Sequence, residues 1–446
     1  MRFTVLIPDW VTTYRDLRIL VFSELWYPEG SGAELASHLY CDLLASQGHE
    51  IRVVTYSRAV PNQSPGVESR IEVIRLAERV HTGSRYDLLL NGGSLLVGSV
   101  RAAIEWSDLV YVPGAWYNAL LLAKLKRKPT VAHMHNFALV SRESLHYDFV
   151  ARKPGRSSLK SFMQHERIKR GNSGLSLTAD MFMSESVGNA FNNLSTLSDA
   201  LVFVSDNQFT TVMKEIPRIA GKSFRVYNPI PDWPLVRCER GGIGYLGGPV
   251  VVKGSNVILQ SAAMLKRDSD VCLHMTGMEP VPREFRVGNS AIVKYYPRLS
   301  RSALASLMKV ISVVCVPSLW AEPLPYSVID AILYGKLVVA SRIGGIPEIV
   351  EGMERSTALV IPGDVAGLSG AIETFLQLTP NEVNDLGESS REKLRRKFDN
   401  EHSAAALGKI MQKVVNDGGL QFHGPNNGKR ISQRRTGFEQ VNTGAS

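Results

Sequence analysis

Two short apolar runs, Ile311–Val316 (ISVVCV) and Leu337–Ser341 (LVVAS), flank a segment whose pattern limits the chain to few architectures. Both read as strands buried on two faces. Between them, Ser327–Tyr334 reads as a short helix with Val328, Ile329, Ile332 and Leu333 available to a core. Strand, helix and strand in that order make a parallel βαβ unit, the building block of an open α/β sheet. Two acids eight positions apart, Glu322 and Asp330, and a glycine pair, Gly344-Gly345, fall at the carboxyl ends of these strands. Open α/β sheets bind ligands at that edge. A carboxylate there holds sugar hydroxyls, and a glycine turn ahead of a helix N-terminus holds phosphate. The pattern suits a sugar joined to a phosphate.

The 446 residues are enough for two large domains. With 44% apolar and 21% charged residues, the composition is that of an ordinary globular protein. No run reaches the roughly 18–20 apolar residues of a membrane-spanning helix. Residues 3–8 (FTVLIP) are too short for a signal-peptide core. A cytoplasmic chain is the expectation, with peripheral attachment to the inner face of a membrane as an option. Cys41, Cys238, Cys272 and Cys315 are scattered without metal-ligand spacing and read as free thiols. The net charge of +9 is uneven: residues 152–170 hold Arg152, Lys153, Arg156, Lys160, Arg167, Lys169 and Arg170 against Glu166 alone. Such a run is a solvated face, or it meets an anionic lipid surface or a phosphorylated acceptor. Only Phe162 accompanies it as a stacking aromatic, so nucleic acid is not expected.

Residues 1–16 read as an extension. Strands at Ile19–Phe22, Ile51–Thr55, Ile71–Leu76, Leu109–Val112 and Thr130–His133 alternate with helices at Ala33–Ser46, near 93–106 and near 115–126. A polar, basic insertion at about 141–196 interrupts the series, which resumes at Ala200–Val204 and Ser205–Lys214. Pro229, Pro231 and Pro234 mark a hinge. The expected domains are therefore 17–229 and 230–400, both doubly wound and facing each other across a cleft. A helix over 401–416 returns to the first domain, and a tail from 417 lacks apolar periodicity and reads as disordered.

Several local patterns carry chemistry alongside blander readings. Gly30-Ser31-Gly32-Ala33-Glu34-Leu35 is not a dinucleotide fingerprint, because Leu35 takes the third glycine's place and Thr55-Tyr56-Ser57 supplies no acid after the next strand. It still lets backbone approach a phosphate, or it is a plain tight turn. Asp268-Ser269-Asp270 precedes a strand instead of following one and reads as a turn. Lys253-Gly254, after Tyr245-Leu246-Gly247-Gly248, offers an ammonium to a departing diphosphate, or is a solvated lysine. His133 and His135 close a strand, and His135, outside it, is the better candidate for substrate contact.

Taken together, this order of features resembles the retaining glycosyltransferase family 4 (group 1), of GT-B fold. The most specific part is Glu322 to Glu348, similar to that family's paired-acid block and its G-G-x-P-E segment. The glycine loop Gly30–Glu34, the strand ending His135-Asn136, Ser205, Asn228 and Lys253-Gly254 match in order. The resemblance implies transfer of a sugar from a nucleotide-sugar, UDP- or GDP-linked, to a glycan or lipid-linked acceptor, with retained configuration and no metal or other cofactor. It implies that Glu322 holds donor-sugar hydroxyls and that Asp330 takes hydrogen bonds from the ribose. Lys253 and the amides near Gly344-Gly345 would stabilise the diphosphate. His135, Ser205, Gly30 and Gly32 would contact sugar or phosphate from the first domain.

Three departures stand out. Gly248 occupies the place of a phosphate-binding arginine, for which Arg342 or the basic insertion are substitutes. Asp330 replaces a glutamate, and Pro323 and Pro325 remove two backbone donors. A sugar-nucleotide epimerase of the same fold, and a non-catalytic nucleotide-sugar binding or assembly protein, are the competing expectations.

Overall fold

The computed structural model describes residues 15–58, 70–77, 91–141, 144–156, 158–170, 186, 190, 192–266, 271–278, 283–288 and 291–422. Most of the N-terminal extension, the Asp268-Ser269-Asp270 turn, part of the basic insertion and residues 423–446 lie outside them.

The first domain opens with β1 (Arg18–Phe22), α1 (Gly32–Ser46), β2 (Glu50–Thr55) and β3 (Ile71–Arg75). After a 3-10 turn at Asn91–Leu96 come α2 (Gly98–Trp106), β4 (Leu109–Val112), α3 (Asn118–Leu125) and β5 (Thr130–Met134). The expected helix near 93–106 is thus broken in two, between the 3-10 turn and α2, where Val97 is extended. Within the insertion, β6 (Tyr147–Asp148) and β7 (Lys153–Pro154) form a small hairpin, followed by α4 (Leu159–Arg170). β8 (Ala200–Phe203), α5 (Asp206–Glu215) and β9 (Ser223–Arg225) complete the sheet, whose parallel order is β3-β2-β1-β4-β5-β8-β9. Leu109-Val110-Tyr111-Val112 and Ala200-Leu201-Val202-Phe203 are wholly buried, as strands covered on both faces must be.

The second domain repeats the plan with β10 (Ile243–Tyr245), α6 (Ser255–Ala263), β11 (Val271–Met275), β12 (Arg283–Val287), β13 (Ala291–Tyr295) and α7 (Arg301–Met308). β14 (Val313–Val316), α8 (Tyr326–Leu333), β15 (Leu337–Ser341), α9 (Ile346–Val350), β16 (Thr357–Val360) and α10 (Val365–Leu376) follow. The order is β12-β13-β11-β10-β14-β15-β16, parallel except for the edge strand β12. In each sheet the winding reverses at the first strand, between β1 and β4 and between β10 and β14, and a crevice opens there.

Two helices close the chain, α11 (Pro380–Lys397) and α12 (Asn400–Phe422), the second spanning the stretch expected as a helix over 401–416. Asp399 ends the first by capping the second: its carboxylate accepts the amide of His402 at 2.9 Å. α12 lays Leu407, Ile410, Met411 and Val414 against Ile19, Val21, Val53 and Val131 of the first domain. It continues through 417–422 where disorder is expected from the sequence, and Gly418 lies against the Pro129 ring, where a Cβ would come within 3.3 Å.

Candidate functional site

Glu322 sits in the loop after β14, only 6% exposed, with Ser318 Oγ donating to its Oε1. A carboxylate so enclosed must be hydrogen-bonded to be tolerated. The glycine pair makes room for its backbone. A Cβ on Gly344 would stand 2.3 Å from the Glu322 carbonyl oxygen, and one on Gly345 would stand 2.0 Å from that of Pro323. Gly344 also takes φ of +60, the left-handed region. Gly345 gives its amide to the Glu322 carbonyl at 2.8 Å. That donor, expected to meet a phosphate, is spent on holding the Glu322 loop.

Lys253 ends the 3-10 turn Val251–Lys253 that follows β10. Gly254, left-handed at φ +82, allows the turn to touch β14's end, since a Cβ there would meet the Pro317 oxygen at 2.0 Å. Leu319 N–H bonds the Val252 carbonyl at 2.8 Å and stitches the two loops together. Tyr245, whose hydroxyl donates to the Lys253 carbonyl at 3.4 Å, has its pKa pushed up by burial and then by the negative charge of Glu322. Glu322, Tyr245 and Lys253 therefore share one end of the second sheet. The ammonium of Lys253 makes no ion pair among the described residues.

From the first domain, Gly30 and Gly32 flank Ser31, whose amide and hydroxyl both reach the Glu34 carboxylate, at 2.6 and 2.9 Å. Gly32 faces the second domain directly: a Cβ on it would lie 2.9 Å from the Tyr326 ring. Ser205 caps α5, accepting the Gln208 amide at 3.1 Å, and its Cβ faces Gly345. His135 stacks on His133 with ring centroids 4.6 Å apart, and its Nδ1 lies 3.5 Å from the Asn228 amide nitrogen. Burial holds the His135 pKa down to about 4, so the ring is neutral near pH 7. Its Nε2 has no hydrogen-bond partner among the described residues.

Asp330 departs from expectation. Its carboxylate faces the hinge, where Trp233 Nε1–H donates to Oδ1 at 2.7 Å. Burial raises its pKa to about 7, against the opposing pull of the Trp233 bond and the Arg301 charge. Sequence reasoning missed Trp233 and two arginines that join the domains, and it named Glu348 without giving it that role. Arg298 donates to the Gly30 carbonyl at 2.7 Å. Arg301 lies between the rings of Tyr27 and Trp233, 4.6 and 4.4 Å from their centroids. Glu348 takes the amides of Asp206 and Asn207, at 2.8 and 2.6 Å, at the N-terminus of α5. Only Glu348 had a sequence signal, as the last residue of the glycine-pair segment. Arg342, named as a substitute for the missing arginine, lines an interdomain cavity of about 750 Å³ beside Asp206, Tyr227 and Glu348.

Two doubly wound sheets with their switch points opposed define the GT-B fold. Solved structures share it along nearly the whole chain. Sucrose-phosphate synthase from Thermosynechococcus elongatus matches with a TM-score of 0.64 at 16% identity, covering 90% of this chain and 100% of that one. The Anabaena HepE structure in complex with UDP-glucose matches at 0.59 and 16%, covering 90% and 99%. Within the second domain, residues 240–378 match the family described as glycosyl transferases group 1. A curated relative, MMP alpha-(1->4)-mannosyltransferase of Mycolicibacterium hassiacum, is 32% identical over 178 residues. That match covers 39% of this chain and 43% of the relative, so less than half of the relative's length is spanned.

Proposed function

We propose that the protein is a retaining glycosyltransferase that moves a sugar from a UDP- or GDP-sugar to a glycan or lipid-linked acceptor without a metal ion. The observation that carries this reading is the grouping of Glu322, Tyr245 and Lys253 at the second sheet's switch point, opposite a glycine loop. The relative named as a mannosyltransferase and the HepE structure holding UDP-glucose support the substrate class. In this mechanism Glu322, fixed by Ser318, orients donor-sugar hydroxyls. Lys253 meets the charge that grows on the departing diphosphate. His135, neutral and with Nε2 uncommitted, contacts the transferring sugar.

Purified protein assayed with UDP- and GDP-sugars tests the reading. Lys253→Ala is expected to lower turnover on the order of 10²–10³-fold with little change in ground-state donor affinity, because a preorganised charge acts chiefly in the transition state. Glu322→Gln should remove transfer while leaving the melting temperature near that of the parent. Activity should persist in EDTA. Normal turnover by both variants would sink the assignment of these roles. A non-catalytic nucleotide-sugar binding protein is the second reading, favoured by Gly248 in the arginine's place and by the engagement of Asp330 with Trp233. It predicts donor binding without turnover.

A further inference from the structure

A diphosphate carries at least two negative charges, and Lys253 alone balances one of them. The loop ahead of Lys253 adds no cation, since Gly247, Gly248 and Pro249 lead into Val250, Val251 and Val252. The corner beside that loop is built from glycine. Gly248 and Gly277 are both left-handed, at φ +66 and +72, and a Cβ on Gly277 would lie 3.4 Å from the Gly248 Cα. The loops after β10 and β11 therefore touch backbone to backbone. Gly277 in turn gives its amide to the Pro297 carbonyl at 3.4 Å, and the residue after Pro297 is Arg298. An arginine from the loop after β13 thus stands beside the glycine corner.

The exposed Arg298 side chain crosses to the first domain. Its Nη2 donates to the Gly30 carbonyl at 2.7 Å and lies 3.5 Å from that of Pro28. A guanidinium has five N–H donors in a rigid fork. Those on Nε and Nη1 have no hydrogen-bond partner, and the group makes no ion pair, among the described residues. A cation anchored by one nitrogen on a glycine loop, with the rest of its fork unspent, is preorganised for an oxyanion. Two other arginines near this edge are less suited. Arg301 lies between the rings of Tyr27 and Trp233, and Arg342 shares its cavity with four carboxylates, Asp206, Glu348, Glu351 and Glu354.

We propose that Arg298 is the second cation of the donor site, binding the terminal phosphate of the donor's diphosphate while Nη2 keeps the Gly30 carbonyl. The proposal rests on the donor reading above. Lys253 and Arg298 follow strands on either side of β11. Strands two places apart stand roughly 10 Å from each other, a gap that two long side chains close around a phosphate. The terminal phosphate is the one that carries the sugar, and the glycine loop gripped by Arg298 faces that end of the donor.

Calorimetric titration of the full-length protein with UDP, UMP, GDP and GMP tests this. Arg298→Ala, at an exposed side chain, should weaken the preferred diphosphate about tenfold and leave the matching monophosphate nearly unchanged. Arg298→Lys keeps the charge without the fork. It should lose less, still on the diphosphate alone, and decides the matter if the alanine variant is insoluble. Loss of a mere tether to Gly30 would weaken monophosphate and diphosphate alike; that result, or no loss at all, overturns the proposal. If the parent binds a diphosphate and both variants match it, the donor reading stands and Arg298 alone falls. If neither diphosphate binds the parent, the donor reading has failed and Arg298 falls with it.

Discussion

Asp330 stands on the second turn of α8 with its carboxylate against the hinge, packed by Trp233 and within the influence of Arg301, Tyr326 and Tyr334. Its pKa in the folded protein, about 7, lies above its ordinary 3.8 because burial disfavours the charged form. The native state therefore binds this proton more tightly than the unfolded chain does. The stability this confers is complete below about pH 4 and drains away as pH rises to about 7. The loss by pH 8 is on the order of 4 kcal/mol at most, taking about 1.4 kcal/mol per pKa unit. Asp330→Asn is permanently neutral and still offers an oxygen to the Trp233 indole. It should raise the melting temperature at pH 8 by several degrees and change it little at pH 5. An equal effect at both pH values would refute the buried, proton-holding carboxylate. At this scale Glu322 and Lys253 could be singled out from the sequence because each lies within a compact local pattern. Trp233 was illegible: the residue that explains Asp330 lies 97 positions away and reaches it only through the fold.

Among the elements, α9 and α5 meet end to end across the cleft through Glu348. Its carboxylate accepts two amides at the N-terminus of α5 and the Tyr227 hydroxyl at 3.2 Å, while burial raises its pKa. An acid at a helix N-terminus gains from the helix dipole as well as from the orphan amides. Glu348→Ala should lower the unfolding free energy by about 1–3 kcal/mol, with Glu348→Gln losing less because its amide oxygen still accepts. Urea melts of the three proteins give the comparison, and an alanine variant as stable as the parent would show the contact to be incidental. Most strands of both sheets were readable because buried parallel strands are short apolar runs. The antiparallel edge strand Arg283-Glu284-Phe285-Arg286-Val287 was not, since only alternate residues there are apolar and its pairing with β13 is settled by the sheet. The break between α11 and α12 has its own signal in Asp399, which caps the second helix.

At the scale of the whole molecule, the described part of the basic insertion carries Arg152 and Lys153 on the β6–β7 hairpin and Lys160 on α4. Arg152, Lys153 and Lys160 are exposed, whereas Arg156 is partly occupied by Glu215 at 3.4 Å. No helix among the described residues is long and apolar enough to cross a membrane. We propose that this face meets an anionic acceptor or lipid surface. Each such cation near an anionic bilayer contributes about 1 kcal/mol, screened over roughly 8 Å at physiological salt. Sedimentation with anionic vesicles should therefore weaken steeply with added salt and weaken again when Arg152, Lys153 and Lys160 are neutralised together. Partitioning that is equal on neutral vesicles and indifferent to salt would return the run to a solvated face.

The chain passes between the domains twice, once through the proline-rich segment after Asn228 and once at Asp399–Asn400, where α12 sets out for the first domain. Asn400 joins the two passages, its side chain accepting the Ile230 amide at 2.8 Å and donating to the Ile230 carbonyl at 2.9 Å. A single tether would leave one body free to swivel in three directions about a point. Two tethers pinned side by side act like the knuckles of a door hinge and leave one rotation, about the line that joins them. Every approach and departure of a substrate then follows the same arc, so the groups on the two facing walls come back into register each time the door shuts.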